Sequence, residues 1–258
     1  MCLILFAYNV HPSYPLILAA NRDEYYERPT QMADFWQEEL NLLAGKDLKA
    51  GGTWLGITRD GRFGALTNYR DPAETNINAP TRGSIVIDFL RGSQPPEQYL
   101  NNLANCGIPF NKFSVLLGTI PNLYYYTNAK GKFTKVSKGI HGLCNHLLDT
   151  PWPKVVRGKK KLTEIVTGKD SLNIDNLLNL LADQEIAPGD HLPETGVRTE
   201  FEKVLSPIFI TSPTYGTRCS TVVMVEKTGN VVFVEQNHNI PGTQATRQHY
   251  SFSLNTKK

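Results

Sequence analysis

Two apolar runs near the start of the chain, CLILFAY at 2–8 and LILAA at 16–20, are separated by HPSYP, and the second leads straight into the charged tetrapeptide NRDE at 21–24. Short apolar runs bounded by prolines read as strands, here two strands around a proline-bearing turn. The same preference recurs along the chain. TWLGITRDGRFGALTNYR is a hairpin, with strands at Thr53–Thr58 and Phe63–Asn68 and Asp60-Gly61 as the turn. KFSVLLGTI and NLYYYTNAKGKFTKVSKGIHGLCN read as an antiparallel meander, and CSTVVMVEKTGNVVFVEQNH as a second hairpin with Thr228-Gly229-Asn230 at its tip. Helices are expected in TRGSIVIDFLRG, where Ile85 and Phe89 share one stripe, in PPEQYLNNLANCG, in PWPKVVRGKKKLTEIVTG and in SLNIDNLLNLLADQ. Strands thus come in antiparallel sets with helices grouped between them, which argues for an α+β fold of packed antiparallel sheets flanked by helices, not a doubly wound parallel sheet.

Residues 183–216 are rich in Pro, Gly, Asp and Thr and read as a long loop with one helical turn near Glu200–Leu205. Such a loop suits a lid or a partner contact, and suits simple mobility equally. The tail TQATRQHYSFSLNTKK is polar and is expected on the surface. With 258 residues, 40% of them hydrophobic, the chain is long enough to bury one sizeable core, and a single domain over 1–258 is expected.

The formal net charge is only +3, with basic and acidic residues spread along the chain, and the densest basic run, RGKKK at 157–161, reads as a solvated helix face. Nucleic acid is therefore not an expected partner. Cys2, Cys106, Cys144 and Cys219 lie far apart with no CxxC pair, which suggests neither a zinc cluster nor a disulfide framework and fits a reducing compartment. None of the six histidines falls in an HExxH motif, and His141 and His146 are too weak a pair for a metal site, so no metal or cofactor is expected. No apolar run approaches the ~18 residues of a membrane span, and the first run has no basic segment before it as a secretory signal would. A soluble, cytoplasmic protein is the expectation.

Cys2 is the first residue with chemical promise. Removal of Met1, which a small second residue permits, would leave Cys2 carrying both a thiol and a free α-amine. The amine titrates near 7.7–8.0 and the thiol near 8.5, so a modest electrostatic push yields a nucleophile beside its own base. The alternative is a buried strand cysteine with no chemistry. In NRDE, Arg22 suits a substrate carboxylate or a lowered thiol pKa and Asp23 suits the α-ammonium; the alternative is an ion pair at a sheet edge. Asn68 and Asn145 each stand where a strand ends, as oxyanion donors or as turn residues. Trp54 in AGGTWLG is either an apolar wall of a pocket or a core side chain.

MCLILFA, LILAANRDE, AGGTWLG at 50–56, LTNYR at 66–70, RG at 82–83, GLCN with DTPWPKV at 142–155 and YGTRCST at 215–221 occur in an order and spacing that resemble the NRDE family, which includes the transport and Golgi organisation protein 2 homologues. The resemblance covers nearly the whole chain. It implies a branch of the N-terminal nucleophile (Ntn) hydrolases, a four-layer αββα sandwich similar to choloylglycine hydrolases and penicillin acylases. It further implies Cys2 as nucleophile, Arg22 and Asp23 as its partners, Asn68 or Asn145 as oxyanion donor, and Arg218 as a further active-site charge. The family pattern carries serine where Cys144 and Cys219 stand. If Asn145 and Arg218 face the site, strand alternation puts both cysteines in the core.

Two functions follow from the resemblance. In the first, Cys2 attacks a non-peptide amide or an acyl conjugate with an apolar acyl group, and water resolves an acyl-Cys2 thioester. In the second, the same fold is a non-catalytic carrier of haem or an amphipathic lipid-like ligand, since the Golgi organisation branch is linked to haem movement and lipid homeostasis. Hydrolase-like chemistry is favoured, and whether the chain is an enzyme at all stays open on the sequence.

Overall fold

The computed structural model describes residues 2–169, 172–238 and 245–255. Its strands are β1 (Cys2–Tyr8), β2 (Leu16–Tyr25), β3 (Thr30–Trp36), β4 (Glu39–Asp47), β5 (Leu55–Thr58), β6 (Arg62–Asn68), β7 (Phe113–Thr119), β8 (Asn122–Thr127), β9 (Lys132–Lys135), β10 (Gly139–Leu143), β11 (Tyr215–Val225), β12 (Asn230–Asn237) and β13 (Thr246–Ser253). The helices are α1 (Gly83–Arg91), α2 (Pro96–Asn105), α3 (Pro153–Thr167), α4 (Ile174–Leu181) and α5 (Thr199–Leu205). One antiparallel sheet runs β10-β1-β2-β11-β12-β13 and the other β3-β4-β5-β6-β7-β8-β9.

Alternation along each strand decides the layers. Ile4, Phe6, Leu16, Leu18 and Ala20 of the first sheet meet Leu55, Ile57, Phe63 and Ala65 of the second in a core between the sheets. The opposite residues Leu3, Leu5, Ile17 and Ala19 lie under α3 and α4, against Val155, Leu162, Leu177 and Leu181. On the far side of the second sheet, Val115, Leu117 and Tyr126 are covered by Ile85, Phe89 and Leu100 of α1 and α2. Both faces of β1 and β2 are therefore buried, which is why their sequences read as continuous apolar runs.

The structure departs from the sequence reading at five places. NRDE lies inside β2, not beyond it. The β3–β4 pair was not expected; its register is broken twice, and β3 alternates poorly between buried and exposed positions. The expected meander holds for β7 to β9, but β10 crosses to the other sheet and pairs with β1. Residues 246–253 of the polar tail form edge strand β13, of which Phe252 alone is buried. RGKKK is not merely solvated: Arg157 and Lys161 bind Asp183, and Lys159 binds Asp149.

The segment at 183–214 is strapped down. Buried Arg70 pairs with buried Glu202 of α5, which also accepts from Thr195. The Lys154 ammonium, itself buried, donates to the Leu205 carbonyl at 2.8 Å.

Gly158 sits where α3 presses on β1. A Cβ there would fall 2.5 Å from Leu5 Cδ1. Helix propensity favours Ala over Gly by about 1 kcal/mol, while overpacking costs about 1–3 kcal/mol, so the clash should win. Gly158→Ala is expected to lower the denaturant midpoint; a raised midpoint would mean that α3 can lift off Leu5 freely.

His141 in β10 has an acceptor at each ring nitrogen, Asp149 Oδ2 at 2.7 Å from Nδ1 and the Ser137 carbonyl at 2.9 Å from Nε2. The Asp149 bond, against the opposing effect of burial, raises its pKa, so the imidazolium is the form this site holds. A raised folded pKa stabilises fully below the unfolded value of about 6.5 and is lost as pH climbs through the folded value. Wild type should therefore lose more stability than His141→Gln between about pH 6 and about pH 9, by urea titration at each pH; parallel curves would show that His141 is neutral in the fold.

Candidate functional site

At one end of the two sheets a cleft of about 510 Å³ opens between β2, β4, the 49–54 turn and the 75–83 segment. Its floor is the start of β1. Cys2 pairs with Arg22 across β1 and β2, and Arg22 with Cys219 across β2 and β11, so the three side chains share the face that looks toward the second sheet. Arg22 is held there by a 2.9 Å bond from Nη1 to Thr30 Oγ1 and by stacking 4.1 Å over the Trp54 ring. Burial pushes the Cys2 thiol up, while Arg22 opposes that push. Asp23 Oδ1 accepts from the Thr217 hydroxyl at 2.7 Å; its burial raises its pKa, against the charge of Lys154 and that hydrogen bond.

Of the residues singled out in the sequence, Cys2, Arg22, Asp23 and Asn68 line this cleft together. Asn145 and Arg218 do not line it. Asn145 is buried, its Nδ2 donating to the Asn68 carbonyl at 2.9 Å, so it acts on the cleft through Asn68. Arg218 is the extra residue of a bulge where the β11–β2 register slips between Thr217 and Cys219. Its Nη1 donates to the carbonyls of Tyr25 at 2.7 Å and Arg28 at 3.0 Å, pinning the turn after β2. Cys144 and Cys219 are buried, although Asn145 and Arg218 do not line the cleft. Trp54 serves both purposes proposed for it, lining the cleft and packing on the inter-sheet core.

Several cleft residues had no role in the sequence reading. Arg28 binds Asp47 at 2.7 Å and lies 4.0 Å from Glu24, and all three line the cleft. Arg82 enters from the opposite wall, carried by the RG motif whose function the sequence left unassigned. AGG and RG meet in space: a Cβ on Gly52 would fall 2.5 Å from the Gly83 carbonyl carbon, whereas one on Gly83 would lie 3.4 Å from Gly52 Cα.

A second polar unit lies behind the NRDE strand. Ser220 Oγ is 2.8 Å from His238 Nε2 and 2.6 Å from Asn21 Oδ1. The pair looks like a nucleophile and base, but the Asn21 amide settles the proton order. Its Nδ2 donates to the carbonyls of Leu181 and Ile208, both at 2.9 Å, so Oδ1 faces Ser220 as an acceptor. The serine proton is thus committed to Asn21, and His238 donates to Ser220. Burial also drives the His238 pKa down to about 4, a poor base at neutral pH.

Two antiparallel sheets packed face to face between helical layers, with a cysteine at the start of a central strand, define an Ntn-hydrolase-like fold. The model of the Transport and Golgi organisation 2 family matches residues 1–239, and the chain belongs to that family. It is 35% identical over 257 residues to the mouse Transport and Golgi organization 2 homolog, covering 92% of this chain and 93% of the relative. To the Drosophila melanogaster Transport and Golgi organization protein 2 it is 29% identical over 261 residues, covering 92% of both. Among solved structures, the mutant C2A conjugated bile acid hydrolase from Clostridium perfringens superposes with a TM-score of 0.56 at 10% identity, covering 100% of this chain and 94% of that one. No helix among the described residues is long and apolar enough to cross a membrane.

The contact between the two glycine motifs makes an asymmetric prediction. Gly52→Ala forces backbone apart and should cost on the order of 1–3 kcal/mol of stability. Gly83→Ala should stay within about 0.5 kcal/mol. Thermal melts of the two variants check this, and equal costs would mean the crossing is loose.

Proposed function

We propose that the chain is an N-terminal-cysteine hydrolase of a non-peptide amide or acyl conjugate, working through an acyl-Cys2 intermediate. The observation that carries this reading is the placement of Cys2 beside Arg22 on the floor of an open cleft, with Asp23 and Asn68 on the same walls. Met1 lies outside the described residues, and its removal is part of the proposal. Burial raises the thiol pKa, so the proton leaves as the bond forms. The freed α-amine of Cys2 takes it as Sγ attacks the carbonyl carbon, and returns it to the leaving nitrogen when the C–N bond breaks. Water then attacks the thioester, releasing the acid and restoring the thiol.

Asn68 is the better oxyanion donor of the two candidates. It lines the cleft, and among the described residues no hydrogen bond engages its side-chain amide, whereas the Asn145 amide is spent on the Asn68 carbonyl. Asn145 is then a positioning residue. The carrier reading asks more of this site: among the described residues no histidine or methionine lines the cleft, so of these only Cys2 offers a soft ligand for haem iron.

Intact mass spectrometry with a p-nitrophenyl ester tests the reading. A chain lacking Met1, with one acyl adduct at Cys2 that decays with release of acid, is expected, and Cys2→Ala should abolish it. Asn68→Ala should slow acylation by about a hundredfold, the usual loss for one oxyanion donor. Retained Met1, or adducts on Cys106, Cys144 and Cys219 with Cys2 silent, would remove the proposal.

A further inference from the structure

We propose that Arg82 forms an anion subsite of the Cys2 cleft, so that the substrate carries a carboxylate or phosphate on the part lying between the β2 wall and the 75–83 wall. This inference rests on the hydrolase reading for the word substrate, but the subsite itself is a matter of charge and space.

The space beside Cys2 is sharply divided. Toward the inter-sheet core, Ile4, Ala20, Leu55, Leu66 and Trp54 enclose a niche of only about 10 Å³, too small for more than about one water-sized group. A fatty chain or a polycyclic ring cannot enter there without repacking the core. Whatever else the substrate carries must lie outward, in the 510 Å³ cleft.

That outer space is charged, and its cations are not equivalent. Arg28 is occupied by Asp47 at 2.7 Å and by Glu24 at 4.0 Å. Arg22 is fixed under Trp54 and on Thr30. Lys49 is exposed at the mouth. Arg82 is half-buried, and its Nη1 donates to the Lys112 carbonyl at 3.0 Å, which aims the side chain without neutralising it. Among the described residues no carboxylate comes within 4.0 Å of its guanidinium. Glu24 acts on it only from beyond that distance, and a guanidinium withdrawn from water without a directly paired carboxylate is poised for bidentate capture of a planar or tetrahedral oxyanion. Burial lowers the Arg82 pKa, the mark of a cation whose desolvation is not offset by a direct partner.

The test pairs two alkylating reagents of nearly equal size, neutral iodoacetamide and anionic iodoacetate, and reads their rates at Cys2 by peptide mass spectrometry. Exposed Cys106 of the same chain is the internal reference. The iodoacetate-to-iodoacetamide ratio at Cys2 is expected to exceed that at Cys106 by about tenfold, and to fall toward it as salt is raised. Arg82→Gln should bring the two ratios together, and Arg82→Lys should restore part of the difference. Equal ratios at Cys2 and Cys106 in the wild type, or a ratio unmoved by Arg82→Gln, would overturn the subsite.

Should Cys2 react with neither reagent, the hydrolase reading falls, and the subsite is then judged by calorimetric titration with glutarate and with inorganic phosphate. Binding weakened about tenfold by Arg82→Gln upholds it, with the tighter of the two anions naming the group. Binding of neither, or binding indifferent to Arg82→Gln, rejects it.

Discussion

Three buried polar residues, Asn21, Arg22 and Asp23, followed by the partly exposed Glu24, close strand β2, and the surroundings of its end are organised around satisfying them. Burying such groups unpaired costs several kcal/mol each, so every one must meet a partner from elsewhere in the chain. Asn21 takes two carbonyls, from the end of α4 and from residue 208, and so ties the long 183–214 connection to the central strand. Arg22 takes Thr30 and the face of Trp54, which fixes the second sheet's edge relative to the first. Asp23 takes Thr217 on β11 and feels the buried Lys154 of α3. Glu24 faces Arg28. One tetrapeptide therefore anchors a helix end, a loop, a neighbouring strand and the opposite sheet.

The cleft exists because these anchors pull in different directions. Asn21 and Asp23 bind toward the helical layer, while Cys2, Arg22 and Cys219 look toward the other sheet. At the bulge, Arg218 stops following the sheet and grips the turn at Tyr25–Arg28 instead. That grip holds Arg28 over Asp47 and gives the cleft its charged rim. Removing the register slip would return Arg218 to the strand alternation and free the turn, so the bulge shapes the site without contributing a group to it.

Much of this is legible in the sequence. Continuous apolar runs gave away β1 and β2, DG and TGN tips marked the hairpins, and the grouping of strands pointed to stacked antiparallel sheets. What stayed hidden follows from the physics of each case. β3 buries little and its pairing is irregular, so it has neither the period nor the composition of a core strand. β13 buries one side chain and is held by backbone bonds, which leave no trace in side-chain pattern. The move of β10 to the other sheet is long-range, since nothing local distinguishes its pairing with β1 from pairing with β9. Asn145 reads equally as an oxyanion donor or a turn residue, and its bond to a backbone carbonyl across the fold gives no sequence signal.

Charge and reactivity in the cleft are linked by a single desolvation. Burial at the start of β1 raises the Cys2 thiol pKa, so on the proposed reading the sulfur rests neutral and Arg22 is spared a permanent thiolate beside it. Under the proposed mechanism the sulfur becomes anionic only in flight, as its proton passes to the α-amine, and Arg22 then stabilises a charge that the ground state lacks. Interactions that appear only then accelerate the step rather than merely tighten binding. Burial acts on Arg82 at the other wall as well, where Glu24 answers it only in part and without a direct ion pair. An anionic substrate would supply that charge on binding, neutralise the outer cation, and leave Arg22 as the unopposed positive group beside the reacting sulfur.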